Sequence, residues 1–313
     1  IRTVCRNRPA IRRGDSFLYP ARLGDKALSP ASDMPSTGSE PVEDIAPPGV
    51  RKRVKEFLRN RLGETIFLKI IQVVKNWQIV LLVYFGLYKK EFFYLNLKNG
   101  LKIKLRTKST DLQAFANVWI LKEYEMQGFE IMKNDVIIDI GGHIGLFSLY
   151  ASLKNPNGKI ISIEPHPQNF LLLKENLECN GFPNIKILNS AVSNSNKNIE
   201  LFIDSLDDSA HSIHGVGKNS IQIKGITLHQ IMNENRITNC NMLKMDCEGA
   251  EFEIINSLSD EEILKIEKIC LEYHLKNDNL FLLESMKNRL KKLEYDVDIK
   301  PTNNFLGMLY ARK

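Results

Sequence analysis

Residues 139–145 read Asp139-Ile140-Gly141-Gly142-His143-Ile144-Gly145. A short apolar run leads into them and a helical pattern follows. Glycines at such a strand-to-helix turn let a backbone approach a ligand closely. The first N–H groups of the helix then point at whatever anionic group sits there. Glu164 closes the next apolar run, where an acid can accept hydrogen bonds from ribose hydroxyls. Two ligands suit this layout, a dinucleotide and S-adenosylmethionine. Asp139 stands where a pyrophosphate would pass and would repel it. S-adenosylmethionine has no phosphate and carries an ammonium and a sulfonium, which an acid favours directly or through water. The spacing Gly-Gly-x-x-Gly also differs from the dinucleotide pattern Gly-x-Gly-x-x-Gly. Asp139, Gly141, Gly142, His143, Gly145 and Glu164 are therefore read as binding S-adenosylmethionine. A NAD-dependent oxidoreductase is the alternative. Ser190 and Ala191 follow the third apolar run, where polar groups can reach an adenine ring; an ordinary turn is the plainer reading of Ser190. Asn169 and Asn176 on the second helix could serve the site, but surface or capping polars are the plainer reading.

Methyl transfer is an in-line displacement, and much of its rate can come from positioning the acceptor. An acceptor that must lose a proton as it is methylated would be assisted by a base or an oxygen-binding cation. Asp246 ends the fourth apolar run and leads the catalytic candidates, with Glu248 beside it. His274 follows the fifth run on the same edge. Asp246 or His274 would receive the acceptor's proton while the other orients the acceptor. The plainer readings are a carboxylate bonded to backbone amides and a histidine capping a loop. Glu251 opens a helix, where acids are favoured. Asp246 and Glu272 could also hold a divalent cation, since oxygen ligands suit magnesium. No tight carboxylate cluster is visible along the chain, so no residue is assigned as a metal ligand.

These residues need a scaffold. From Asp135 onward short apolar runs alternate with helical patterns. The expected strands are 136–140, 159–163, 185–188, 241–245, 266–271, 295–299 and 305–311. The expected helices are 144–153, 167–180, 249–258 and 280–290. Continuous apolar strands imply burial on both faces, hence an α/β fold with a mostly parallel sheet between helix layers. Ligands in such sheets bind at the carboxyl ends of the strands. Residues 135–313 form this domain, with an insertion at 193–225. The insertion holds a strand pair, 199–203 and 220–223, and a polar loop with His211 and His214. Residues 91–134 read as a hairpin and a helix leading into the core. Asn99-Gly100 between alternating runs signals the hairpin, and Ser109-Thr110-Asp111 caps a helix through about residue 128.

Residues 51–90 read as a basic, amphipathic helical segment, with one helix over 66–90. Residues 1–50 are rich in Pro, Ser, Gly and Arg, and 30–48 are expected to be disordered. That contrast, with an opening Ile, points to a truncated or wrongly extended reading frame. The chain has 313 residues and a net charge of +6, a mild excess that demands neither nucleic acid nor membrane. No interleaved aromatic and basic stripe favours a nucleic-acid substrate. The most apolar stretch, 77–88, falls short of the ~20 residues of a bilayer-spanning helix. The basic flank Lys89 and Lys90 would permit weak association with a membrane surface. Five cysteines form no Cys-x-x-Cys pair, which fits a reducing cytoplasm. Cys247 reads as a buried small hydrophobe. The oligomeric state is not legible.

The sequence resembles the FkbM family of methyltransferases. The carriers are residues 139–145, Glu164-Pro165, Asn189-Ser190-Ala191-Val192, Lys244-Met245-Asp246-Cys247-Glu248-Gly249-Ala250-Glu251 and Glu272-Tyr273-His274. The resemblance covers about residues 92–311. It implies a Rossmann-like class I fold, with a seven-stranded sheet and a reversed last strand. It also implies O-methylation, often of sugar hydroxyls in glycan or secondary-metabolite pathways. The partner would be a small-molecule or glycan acceptor, not nucleic acid. The chain departs from the family at His143, where Asn is usual, and at His229, where Asp is usual.

Overall fold

The computed structural model describes residues 61–202, 220–275 and 280–313. These all fall in one compact unit, residues 53–313. The expectations for residues 1–50 and for His211 and His214 lie outside the described residues.

The centre is a seven-stranded sheet. Its strands are β3 (Val136–Ile140), β4 (Lys159–Ile163), β5 (Ile185–Leu188), β10 (Cys240–Met245), β11 (Ile266–His274), β12 (Asp296–Pro301) and β13 (Leu306–Arg312). The order across the sheet is β12-β13-β11-β10-β3-β4-β5. β10 is parallel to β3 and β11, and β3, β4 and β5 run parallel in turn. β13 is antiparallel to both neighbours, so it is the reversed strand. The chain winds outward from β3 to β5, then returns to β10 on the other side of β3. That reversal opens a crevice at the carboxyl ends of β3 and β10, where ligands of open α/β sheets bind.

Alternate residues of each strand feed two cores. Ile137, Ile160, Met242, Cys270 and Met308 face one, packed against α4 (Leu146–Lys154) and α5 (Pro167–Asn180). Ile138, Ile161, Leu243, Ile269 and Leu309 face the other. There they meet α6 (Leu228–Glu234), α7 (Glu251–Ser257) and α8 (Leu280–Lys292). Each fully buried aliphatic side chain contributes roughly 1.5–3 kcal/mol, which is why the interior strands carry almost no polar residue.

The hairpin pairs β1 (Phe92–Asn96) with β2 (Lys102–Arg106). Asn99 Oδ1 accepts from Leu101 N at 3.1 Å, and Gly100 takes φ +91°. The single helix expected over 66–90 is instead two, α1 (Arg61–Val73) and α2 (Gln78–Tyr84). Between them Lys75 N donates to Asn96 O, and Asn76 bonds the backbone of Tyr94 and Asn96. The free edge of β1 thus takes up residues that helical periodicity alone would have kept in a helix.

The helix expected from 111 to 128 also stops early. α3 (Asp111–Phe115) passes into a π-helical turn, Ala116–Leu121, that ends at Lys122 with φ 56°. Val118, Trp119 and Ile120 are all buried. Three consecutive buried residues exceed one α-helical stripe. Trp119 packs on Tyr150, and Tyr124 on Phe147. The third strand ends at Leu188, so Ala191–Val192 (β6) forms a separate pair with Gly225–Ile226 (β9). In the insertion β7 (Ile199–Phe202) pairs with β8 (Ser220–Ile223).

Asn176 on α5 ties the hairpin to the sheet domain. Its Oδ1 accepts from Lys104 N at 2.7 Å, and its Nδ2 donates to Lys104 O and Ile144 O at 3.1 and 2.9 Å. It is a buried clamp, not the surface polar expected. Asn176→Ala leaves those backbone groups without partners, so about 2–3 kcal/mol of stability is lost. Urea unfolding followed by circular dichroism should show a lower midpoint with an unchanged slope; an unaltered midpoint would show that the hairpin does not depend on Asn176.

Candidate active site

A cavity of about 400 Å³ opens at the carboxyl ends of the parallel strands. Its floor is Ile140, Gly141, Gly142 and His143, after β3. Glu164 and Asn169 border it after β4. Ser190 and Ala191 border it after β5. Lys244 lines it from β10, Asp246 and Glu248 from the loop after it, and Glu272 and His274 from β11. Gln113, Asn117 and Val118, in α3 and the π-helical turn, complete the wall.

The glycine turn is shaped first by protein packing. Gly141 has φ +77°, and a Cβ there would lie 1.7 Å from Asp246 O. A Cβ on Gly142 would lie 2.3 Å from Ser162 Oγ. The N–H groups of Gly141 and Gly142 both donate to Ile163 O, at 3.0 and 2.9 Å. Close approach to a ligand is therefore not what makes these two positions glycine. Gly145 caps α4 beside Leu173 and does not line the cavity.

Asp139 also departs from expectation. It is fully buried beneath the turn and does not face the cavity. Its Oδ2 accepts from Ser148 Oγ and Ser162 Oγ at 2.7 and 3.1 Å. Lys244 Nζ lies 3.1 Å from its Oδ1 as an ion pair. Burial works against the Lys244 charge, but Asp139 and Asp246 outweigh it and raise the pKa. The same ammonium donates to Gly141 O at 2.7 Å. Asp139 thus cannot repel a pyrophosphate or attract a sulfonium as a bare charge, because Lys244 balances it. The cavity's negative lining comes instead from Glu164, Asp246, Glu248 and Glu272.

Glu164 is held as the end of β4 suggests. Its Oε2 accepts from His143 N at 2.8 Å, and its Oε1 from His166 N at 2.9 Å and Asn169 Nδ2 at 3.4 Å. Burial raises its pKa, against the opposing pull of His143 and these N–H donors. Asn189 Nδ2 donates to Glu164 O and Pro165 O and so secures the loop. His143, at φ 49°, faces the hairpin. Its Nε2 is 3.1 Å from Arg106 Nη2 and 3.3 Å from Asp111 Oδ1.

Asp111 was read as part of a helix cap. It is instead fully buried and takes Arg106 N, Nε and Nη2 at 2.8, 3.0 and 2.7 Å. Burial pushes its carboxyl up, but hydrogen bonds from His143 and Arg106 outweigh that and hold it well below the usual carboxylate range.

The opposite edge gathers Asp246, Glu248 and His274, with one ligand-type atom from each within 4.8 Å of the others. His274 ends β11 and does not lie beyond it. Its Nδ1 is 3.1 Å from Glu251 Oε1, and its Nε2 3.3 Å from Glu248 Oε2. Burial disfavours its charge, but Glu251, Glu248 and Asp246 push its pKa up to about 9. Those carboxylates therefore favour its protonated form at neutral pH. Glu272 is pushed up to about 8 by burial and by Asp246. Tyr124 OH donates to Asp246 Oδ2 at 3.3 Å. Glu251 accepts from Cys247 N and Gly249 N at 3.2 and 3.1 Å. Cys247 lines the cavity, and burial followed by Glu251 and Asp246 raises its thiol pKa strongly.

Sequence reasoning missed Arg106, Asp111, Tyr124 and Lys244. Lys244 carried a signal, since a lysine inside an apolar strand must find a counter-charge. His229 lies away from the cavity, beside Glu262 and Asn233.

The sheet order, the reversed β13 and a cavity at the switch point define a Rossmann-like class I methyltransferase fold. The chain belongs to the FkbM methyltransferase family, whose domain profile matches residues 139–297. This membership sets aside the oxidoreductase alternative. The hexuronic acid methyltransferase AglP of Haloferax volcanii is 25% identical over 176 residues, 54% of this chain and 70% of that one. The 31-O-demethyl-FK506 methyltransferase FkbM of Streptomyces tacrolimicus is 20% identical over 211 residues, 58% and 81% of the two chains. The crystal structure of methyltransferase FkbM from Methylobacillus flagellatus KT has a TM-score of 0.42 at 14% identity, covering 82% of this chain and 60% of that one. Among the described residues no helix is long and apolar enough to cross a membrane.

Two outcomes follow. Gly141→Ala forces the β3 turn away from Asp246 O, so the thermal midpoint should fall and ligand binding in the cavity should be lost together; retention of both would contradict the contact. Asp111→Asn removes one partner of a buried ion pair, at about 3 kcal/mol. Because the folded pKa of Asp111 is depressed, its contribution is complete above about pH 4, the unfolded value, and fades as pH falls through the folded value. Chemical denaturation at pH 7 and pH 3 should therefore show a smaller gap between variant and parent at pH 3.

Proposed function

We propose that the cavity binds S-adenosylmethionine and that the chain methylates a hydroxyl of a sugar, glycan or secondary metabolite. The observation that carries this is Glu164, a nearly buried carboxylate fixed by two backbone N–H groups at the cavity wall. Such an acid at the end of the second core strand suits a ribose hydroxyl pair. Four carboxylates line the cavity, which suits a cationic, phosphate-free nucleoside. A volume of about 400 Å³ lies within the range of small-molecule sites.

Glu164 would hold the ribose, with Gly141, Gly142 and His143 beside the amino-acid portion and Ser190 and Ala191 beside the adenine. Asp139 and Gly145 act indirectly, by setting the turn and the start of α4. The cofactor supplies a methyl group on a sulfonium, and methylation of a hydroxyl releases one proton. Asp246 takes that proton. His274, charged at neutral pH, holds Glu248 in place and orients the acceptor. A sugar acceptor is supported by the relative named as a hexuronic acid methyltransferase. Transfer to oxygen is supported by the one named for 31-O-demethyl-FK506.

Calorimetric titration should show S-adenosylmethionine binding and no NAD binding, and Glu164→Ala should weaken the former at least about tenfold, the loss of roughly one charged hydrogen bond. Asp246→Asn should retain cofactor affinity but slow transfer of labelled methyl to a panel of sugar acceptors by about 10²–10⁴. Binding of NAD with silence toward S-adenosylmethionine would overturn the reading.

A further inference from the structure

We propose that Asp246, Glu248 and His274 form a binding site for one first-row divalent cation, of the manganese or zinc class, at the acceptor end of the cavity. The inference rests on the reading above for its purpose but not for its geometry.

Two segments distant in sequence, the loop after β10 with Asp246 and Glu248 and the end of β11 with His274, bring three ligand-type atoms to within 4.8 Å of one another. His274 Nε2 and Glu248 Oε2 are 3.3 Å apart. Two ligand atoms about 2.1 Å from a common ion are separated by roughly 3–3.4 Å at tetrahedral or octahedral angles, so this pair already has coordination spacing. Opposite ligands on one ion lie at most about 4.2 Å apart, so the third atom needs only a small side-chain shift.

Glu251 supplies the second, independent observation. Its carboxylate is fully buried, and its Oε1 is 3.1 Å from His274 Nδ1. Metal-bound histidines almost always donate their other ring N–H to such a group, which fixes the tautomer and aims the free nitrogen at the ion. Backbone N–H groups of Cys247 and Gly249 hold the same oxygen. The other oxygen, Oε2, has no hydrogen-bond partner among the described residues. A carboxylate buried this way orients His274 at the cost of its own desolvation, which an internal ion pair on a cavity wall does not require.

The donor set selects the ion. One imidazole and two carboxylates favour manganese, iron or zinc over magnesium and calcium, which prefer all-oxygen shells. Three protein ligands leave open positions for water or an acceptor oxygen. On binding the ion His274 would release its Nε2 proton to solvent, and two carboxylates with the resulting neutral imidazole balance a divalent charge. A cation there would polarise the acceptor hydroxyl. Asp246 has two oxygens, so one can face the ion while the other takes the hydroxyl proton. The set differs from the Asp246 and Glu272 pair that the sequence suggested.

The test is calorimetric titration of the full chain, freed of metal by chelation, with Mn²⁺, Zn²⁺ and Mg²⁺, repeated on His274→Gln and Glu251→Gln. One Mn²⁺ or Zn²⁺ should bind per chain, far tighter than Mg²⁺. His274→Gln should weaken it at least about tenfold, and Glu251→Gln about 10–100-fold, as for other orienting partners. Circular dichroism melting identifies a variant that has not folded, in which case the other variant decides. The absence of stoichiometric Mn²⁺ or Zn²⁺ binding, or binding unchanged in the folded variants, overturns the proposal. S-adenosylmethionine binding without the metal sinks this inference alone; metal binding without S-adenosylmethionine sinks the proposed function and leaves the cation site standing.

Discussion

The backbone of Gly141 and the carbonyl of Asp246 meet with no space for a single carbon between them. That approach joins the ends of β3 and β10, the two strands on either side of the topological reversal. Lys244 sits beneath the junction, paired with Asp139 and bonded to Gly141 O. The turn, the buried ion pair and the cavity edge that carries Asp246 are therefore one mechanical unit. A change in any of them moves the crevice in which ligands would lie.

The negative character of the cavity has a different origin from the acid within the glycine motif. Asp139 is neutralised by Lys244 and lies buried beneath the turn, away from the cavity that Lys244 itself borders. Glu164 on one side and Asp246, Glu248 and Glu272 on the other provide the field. Burial and then Asp246 make Glu272 hold its proton more tightly than usual, and Glu251, Glu248 and Asp246 do the same for His274 against its burial. A cationic ligand would relieve the same repulsion, so affinity for positive charge is a property of the whole edge.

The segment before the matched family domain is part of the site. Arg106 and Asp111 reach His143 from the hairpin side, and Gln113, Asn117 and Val118 close the wall. Asn176 anchors that hairpin to α5 through three hydrogen bonds. The π-helical turn arises where Val118, Trp119 and Ile120 must all be buried at once.

By itself the sequence determined the α/β class, the positions of the core strands and the residues at their carboxyl ends. Those properties are local, because a continuous apolar run buried on both faces and a glycine-rich turn are written within a few consecutive residues. Glu164, Ser190, Asp246 and His274 were legible for that reason. What tertiary structure decided was which charges face one another. Lys244 and Asp139 are far apart in sequence, as are Arg106 and His143, and as are Glu251 and His274, so no periodicity could pair them. The same limit hid the split of the 66–90 helix, which depends on hydrogen bonds to the edge of β1. Electrostatic roles follow distance in space, and only folding sets that distance.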